Sequence, residues 1–343
     1  MIPRSRISKE LNDWRSELLN AYRNPVKLLE ALEIEPASVG FSSAATAGFA
    51  FRVPHAYAAR MRRGDPNDPL LRQVLPLAQE TESREGYSSD PVGEFALLQD
   101  GSLLQKYRGR ALLVLTGACA VNCRYCFRRA FPYGETVGPQ RLRRALDRIA
   151  ADPSLSEIIL SGGDPLVLDD AALGHVMSAL DVIGHVRRVR IHTRLPVVVP
   201  SRITNALLDV LKASSTQTII VVHVNHPREI DARTVAALAR CRAAGVTLLN
   251  QSVLLRGVND DADVLTELSH ILFAAGVLPY YVNLLDRVSG TAHFDVSDDR
   301  ASVIERELRA RLPGYLVPLF VREIPGAASK VPLKPSASGC DRA

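Results

Sequence analysis

Apolar residues recur at helical spacing through SKELNDWRSELLNAYRNPVKLLEALE, residues 8–33, and the turn-rich GDPNDP at 64–69 closes this front region. Residues 1–105 therefore read as a mostly helical N-terminal region. Beyond it the pattern changes to short apolar runs, each followed by a stretch of helical period. ALLVLTG precedes a helix near 139–151, EIILSGG one near 169–183, RVRIHTR one near 203–213, TIIVVHV one near 231–244 and TLLNQSVLL one near 261–275; PYYVNLL comes last. Strands that alternate with helices predict an α/β fold with a parallel sheet. Six strands are two short of a closed eight-stranded barrel, so the expectation is an open six-stranded (β/α)6 partial barrel over residues 106–313. A short C-terminal segment, 314–343, follows it. Cys119, Ser161 to Asp164, His192, Arg194, His223 to His226, Asn250 to Ser252 and Asp286 all fall at or just past the C-terminal ends of these strands, the rim that carries chemistry in parallel barrels.

Composition narrows the class. A chain of 343 residues with 47% hydrophobic content can bury a large core. No stretch has the form of a signal peptide or the eighteen or so apolar residues of a spanning helix, so a cytoplasmic protein without membrane attachment is expected. Lys and Arg number 42 against 37 Asp and Glu, a formal charge of +5. That excess is small and dispersed, which argues against nucleic-acid binding and for small anionic ligands.

Three of the five cysteines, Cys119, Cys123 and Cys126, lie within eight positions in GACAVNCRYC. In a reducing compartment such clusters bind metal more often than they form disulfides. Three ligands leave a tetrahedral zinc site one short, and a zinc knuckle would need Cys241 or a distant histidine to complete it. Cys-x3-Cys-x2-Cys with Tyr125 before the last cysteine resembles the signature of the radical S-adenosylmethionine (radical SAM) superfamily. That resemblance implies three thiolates on a 4Fe-4S cluster, with the fourth iron open to chelate S-adenosylmethionine. SGGDP at 161–165 strengthens the reading, since glycines after a strand let the backbone approach a ligand closely. It resembles the superfamily's second motif, which assigns Ser161, Gly162, Gly163 and Asp164 to S-adenosylmethionine.

Alone, Lys330 in GAASKVPL is weak evidence, because most lysines near a terminus are solvated. However, HTRLPVVVPSRIT (192–204), HVNHPREI (223–230), NQSVLLRGVND (250–260) and LPYYVNLLDRVSGTAHF (278–294) together resemble the lysine 2,3-aminomutase family from about residue 50 to 333. The resemblance implies that Lys330 carries pyridoxal 5′-phosphate (PLP) as a Schiff base. It assigns Arg110 and Tyr107 to the phosphate, Arg128 to the substrate carboxylate, His223 and Gln251 to S-adenosylmethionine, and Asp286 and Glu323 to the distal ammonium of lysine. Two positions depart from the free-lysine enzymes: Glu323 stands for an aspartate, and Lys106 for an arginine at the phosphate, so that contact is expected to be weaker or absent. The short C-terminus and GACAVNCRYCFRRAFPY with AHFDVSDD resemble the branch associated with elongation factor P. This implies conversion of (S)-α-lysine to (R)-β-lysine, an external electron donor, and elongation factor P with its lysine ligase as pathway partners. The same chemistry on arginine or glutamate, or a non-catalytic iron-sulfur or zinc protein, are the rival readings.

Overall fold

The computed structural model describes residues 14–98 and 102–334. The start of the 8–33 stretch of helical spacing and Cys340 lie outside the described residues. A single sheet runs in chain order through nine strands: β1 (Leu103–Tyr107), β2 (Arg110–Thr116), β3 (Glu157–Gly162), β4 (Arg188–Thr193), β5 (Gln217–Val222), β6 (Thr247–Val253), β7 (Leu278–Asn283), β8 (Leu319–Arg322) and β9 (Val331–Pro332). Strands β2 to β8 are parallel, and β1 and β9 pair antiparallel at the two ends. The two end strands do not pair with each other, so the barrel is open.

The six strands read from the apolar runs are β2 to β7. The seventh parallel strand, β8, escapes that reading because LFVR is short and follows a proline; LLQKY of β1 is likewise too short and too polar to announce itself. Strands covered on both faces read as continuous apolar runs, as EIILSG of β3 does, with five of its six residues buried.

Among the described residues, six helices follow the strands: α1 (Pro139–Ala151), α2 (Asp170–Asp181), α3 (Asn205–Ala213), α4 (Ala232–Ala243), α5 (Ala262–Ala274) and α6 (Asp298–Arg311). Their starts follow from side-chain chemistry. Asp169, Thr204, Asp231 and Ser297 each accept a hydrogen bond from the third helical N–H, and α1 opens on Pro139, whose missing N–H would have been unpaired there. A short connection from each helix into a parallel strand brings every strand end to one rim.

The front segment differs from the helical expectation. Its helices are short: residues 14–19, Pro25–Ala31, Ser43–Gly48, His55–Ala58 and Pro69–Arg72. The stretch of helical spacing over 8–33 is interrupted at residues 20–24 because Pro25 cannot continue a helix; Asn24 instead caps a new one by accepting from the Val26 N–H at 2.9 Å. Trp14, Leu28, Tyr57 and Leu70 from this segment join the same apolar core as Leu113, Leu160 and Ile220 of the barrel. Among the described residues no helix is long and apolar enough to cross a membrane.

Candidate active site

A cavity of about 420 Å³ opens at the C-terminal rim, with the three cysteines at one end and Lys330, Glu323 and Asp286 at the other. The cysteine loop follows β2 directly, and the front segment pins it. Arg52 donates to the Cys119 carbonyl at 2.9 Å, the Asn122 N–H to the Arg52 carbonyl at 3.0 Å, and the Arg124 N–H to the Gln73 carbonyl at 2.9 Å. Arg124, fully buried between two cysteines, forks onto Glu80 at 2.8 and 2.6 Å and donates to the Phe49 and Ala45 carbonyls. Glu80 also receives Arg129 at 2.8 Å.

Beneath the loop lies a second buried pair. Arg194 donates to Glu229 at 2.6 Å and, through its other terminal nitrogen, to the Cys123 sulfur at 2.8 Å and the Tyr125 hydroxyl at 3.0 Å. Asn225 donates to the same hydroxyl at 2.7 Å. The aromatic residue of the cysteine motif is thus keyed into a polar network that fixes the loop from below. Burial, followed by the neighbouring thiols, pushes Cys119 well up and Cys126 up to about 11. Crowded, desolvated thiols of this kind become favourable ligands only around positive charge. Among the described residues no three His, Cys, Asp or Glu side chains are grouped as a single ion would require, and Cys241 is buried in the core face of α4. Cys241 thus stands away from the cavity and does not complete a zinc site with the loop, and three thiols beside an open cavity suit a cluster that leaves one position free.

The glycines after β3 serve the same loop. Gly163 donates to the Thr116 carbonyl at 2.6 Å and Asp164 to the Ala118 carbonyl at 2.9 Å. A Cβ on Gly163 would stand 2.2 Å from the Ala118 oxygen, and one on Gly162, at φ +122°, 2.4 Å from the Thr116 oxygen. The close approach expected toward a ligand is thus, in the first place, an approach to the backbone that carries Cys119. Asp164 is equally committed: its carboxylate accepts from Leu166 N, Thr193 Oγ1 and Arg194 N at 3.1, 2.7 and 2.8 Å. Both glycines and Asp164 still line the cavity.

His223, just past the end of β5, and Gln251 on β6 meet in the cavity, with Gln251 Nε2 donating to His223 Nε2 at 2.8 Å. Burial and then the nearby cations Arg194, Arg128 and Lys330 hold His223 down at about 3, so the ring is neutral. His192, whose ring centre is 5.6 Å from that of His223, has a buried Nε2 with no partner among the described residues. An orphaned nitrogen on a cavity wall is what a bound polar ligand would satisfy.

At the other end, Lys330 donates to Asn283 Oδ1 at 2.9 Å and pairs with Glu323 at 3.0 Å. Tyr107 donates its hydroxyl to Glu323 at 2.7 Å, and the Arg110 guanidinium stacks 4.7 Å over the Tyr107 ring. Lys106 lies 3.4 Å from Glu323 and 3.2 Å from Glu94, so its charge is paired with carboxylates. Burial would raise Glu323, yet Lys330 and Lys106 hold it below the ordinary range. The Asp286 carbonyl accepts from the Val288 N–H at 2.7 Å, whereas its carboxylate has no hydrogen bond from the described residues, and burial raises the carboxyl to about 6 against the pull of Lys330. Arg128 forks onto Glu94 at 2.7 and 2.8 Å and donates to Ser161 at 3.0 Å.

The cavity thus gathers every residue assigned from sequence. Spacing gave no sign of Glu80, Glu94, Gln73, Arg124 or Glu229, because their partners lie far away in sequence.

The model of the radical SAM superfamily matches residues 113–268. The L-lysine 2,3-aminomutase of Escherichia coli (strain K12) is 49% identical over 94% of this chain and 94% of its own length. That of Haemophilus influenzae is 45% identical over 96% and 98%. Among solved structures, a radical SAM methyltransferase from Sphaerobacter thermophilus aligns with 64% of this chain and 68% of its own, at 20% identity and a TM-score of 0.47.

Proposed function

Because the chain belongs to the lysine 2,3-aminomutase family of radical SAM enzymes, an isomerase family that uses a 4Fe-4S cluster, S-adenosylmethionine and PLP, we propose that it converts (S)-α-lysine to (R)-β-lysine. The observation that carries this reading is a single cavity lined by the three cysteines and, some two hundred residues later in the chain, by Lys330 with its carboxylate partners. When bound, the cofactors supply an electron, a hydrogen-abstracting radical and a carbonyl that holds the migrating amine.

The residues divide the remaining work. Cys119, Cys123 and Cys126 hold the cluster, and the loop under them is rigid because Arg124–Glu80 and Arg194–Glu229 are buried ion pairs. Ser161, Gly162, Gly163, Asp164, His223 and Gln251 form the wall against which S-adenosylmethionine rests; neutral His223 accepts or donates there without adding charge beside a sulfonium. Lys330 Nζ would hold PLP through its aldehyde, with Glu323, 3.0 Å from that nitrogen, placed to hold or release a proton there. Arg110 binds the phosphate, and Tyr107 orients both Arg110 and Glu323. Arg128 binds the substrate carboxylate, and Asp286 with Glu323 receives the distal ammonium. Two carboxylates at that end would repel the side chain of glutamate. Apolar strands around the cavity keep water from the reacting carbon.

In this reading the enzyme takes one electron from an external donor, and its product serves the modification of elongation factor P by a separate ligase. Chiral amino-acid analysis after anaerobic incubation of the reconstituted protein with lysine, S-adenosylmethionine and reductant tests the first claim, with (R)-β-lysine expected. No β-lysine from protein loaded with cluster and PLP would refute it. Mass analysis of elongation factor P after addition of its ligase tests the second, with a β-lysyl adduct expected.

A further inference from the structure

Arg128 has five N–H groups. Its Nε and one hydrogen of Nη2 go to the two oxygens of Glu94 at 2.7 and 2.8 Å, and one hydrogen of Nη1 goes to Ser161 at 3.0 Å. Two donors remain, one on each terminal nitrogen, and these are available to a ligand carboxylate. The guanidinium lies 4.8 Å from the Phe127 ring centre and 5.9 Å from that of Phe131 and lines the cavity. Glu94 is itself 3% exposed, is held down at about 2 by Arg128 and Lys106 despite its burial, and passes its second contact to Lys106 at 3.2 Å. Lys106 in turn reaches Glu323 at 3.4 Å, and Glu323 reaches Lys330 at 3.0 Å. Arg128, Glu94, Lys106, Glu323 and Lys330 thus form a line of alternating charge between the group assigned to the substrate carboxylate and the group assigned to PLP.

We infer that Glu94 is a positioning residue for recognition of the substrate's α-carboxylate: it occupies one edge of Arg128 so that the remaining donors are left for the ligand, and through Lys106 it ties that guanidinium to Glu323. Lys106 on this account belongs to the substrate end of the site and not to the phosphate. The inference rests on the lysine reading above and assigns a role to a residue from the irregular front segment. Replacing Glu94 by glutamine puts an amide NH₂ where an oxygen accepted an Arg128 N–H, so the two-point contact cannot persist. Arg128 is then free to turn, and Lys106 loses one of its two carboxylates.

The test uses the anaerobic holoenzyme without reductant, so that no turnover occurs, and titrates the PLP absorbance with L-lysine and with cadaverine, which has lysine's amines but no carboxylate. Glu94→Gln is expected to weaken lysine on the order of a hundredfold while cadaverine changes by less than about threefold, with iron and PLP content as in the parent. Glu94→Asp, which keeps the charge on a shorter arm, is expected to lose lysine affinity to a smaller extent and to leave cadaverine alone. Equal losses for both ligands, unchanged lysine affinity in both variants, or tighter lysine binding as from a carboxylate that competes with the substrate's own, would each overturn the inference. A parent protein that makes β-lysine but fails these comparisons refutes the role of Glu94 alone; a parent with no response to lysine refutes the substrate reading and this inference with it.

Discussion

Asp286→Asn should move two measurements in opposite directions. In the free enzyme the carboxyl is buried near Glu323 without a hydrogen bond of its own, and its pKa stands at about 6 in place of 3.8. A carboxyl whose pKa is raised on folding binds its proton more tightly in the native state, so ionising it opposes folding. The penalty is absent below the unfolded value, grows as pH rises from about 3.8, and is complete above about 6. At 1.36 kcal/mol per unit the shift corresponds to about 3 kcal/mol, an upper figure since the side chain retains some solvent contact. Asparagine keeps the shape and removes the charge. The PLP-free variant should therefore be more stable than the parent at about pH 8, by a margin of about 1–3 kcal/mol that narrows toward pH 4. Lysine, whose ammonium then meets one carboxylate where two stood, should bind on the order of a hundredfold more weakly, equivalent to about 3 kcal/mol. Urea unfolding across pH reads the first effect, and absorbance titration of the unreduced holoenzyme reads the second. A variant that is less stable than the parent at pH 8, or that binds lysine as the parent does, refutes the reasoning.

Replacing any of Cys119, Cys123 or Cys126 by serine should abolish cluster assembly, read as iron and sulfide content, whereas Cys241→Ser, in the core of α4, should leave both intact. Lys330→Ala should keep its cluster and lose the PLP adduct that borohydride traps, with peptide mapping of the parent placing the label on Lys330. Gly163→Ala should lower iron content as well as S-adenosylmethionine binding, because its Cβ collides with the backbone beside Cys119 and not merely with a ligand. Glu80→Gln leaves Arg124 and Arg129 without a countercharge under the loop and should cost about 3–5 kcal/mol of stability by urea unfolding.

What could be read from the chain depended on how local its cause was. Strands β2 to β7 announce themselves as apolar runs and α1 to α5 as stretches of helical period, since each signal spans a few positions, whereas α6 was not among the helices read from the sequence. The cysteines are three candidate ligands in one loop, which spacing alone makes visible, while the cluster they hold is what the resemblance implies. Lys330 alone says nothing; its meaning came from resemblance. Glu94 meets Arg128 across 34 residues and Glu80 meets Arg124 across 44, from stretches with no periodicity, so no local pattern could pair them. The helices of the front segment are short because Pro25, Pro36, Pro54 and Pro69 cut it into pieces that the helical spacing of its apolar residues does not reveal. Its apolar side chains are spent on packing under the barrel, and its polar ones on the cysteine loop.

The central claim is that the lysine held at the Lys330 end of the cavity faces S-adenosylmethionine at the cysteine end closely enough for hydrogen to pass between them. Lysine carrying deuterium at both β-hydrogens, incubated with the reduced holoenzyme, tests this by mass analysis of the recovered S-adenosylmethionine and β-lysine. The account predicts deuterium at the 5′ carbon of S-adenosylmethionine and at the carbon of β-lysine that the nitrogen has left. β-Lysine formed without any deuterium entering S-adenosylmethionine would contradict it.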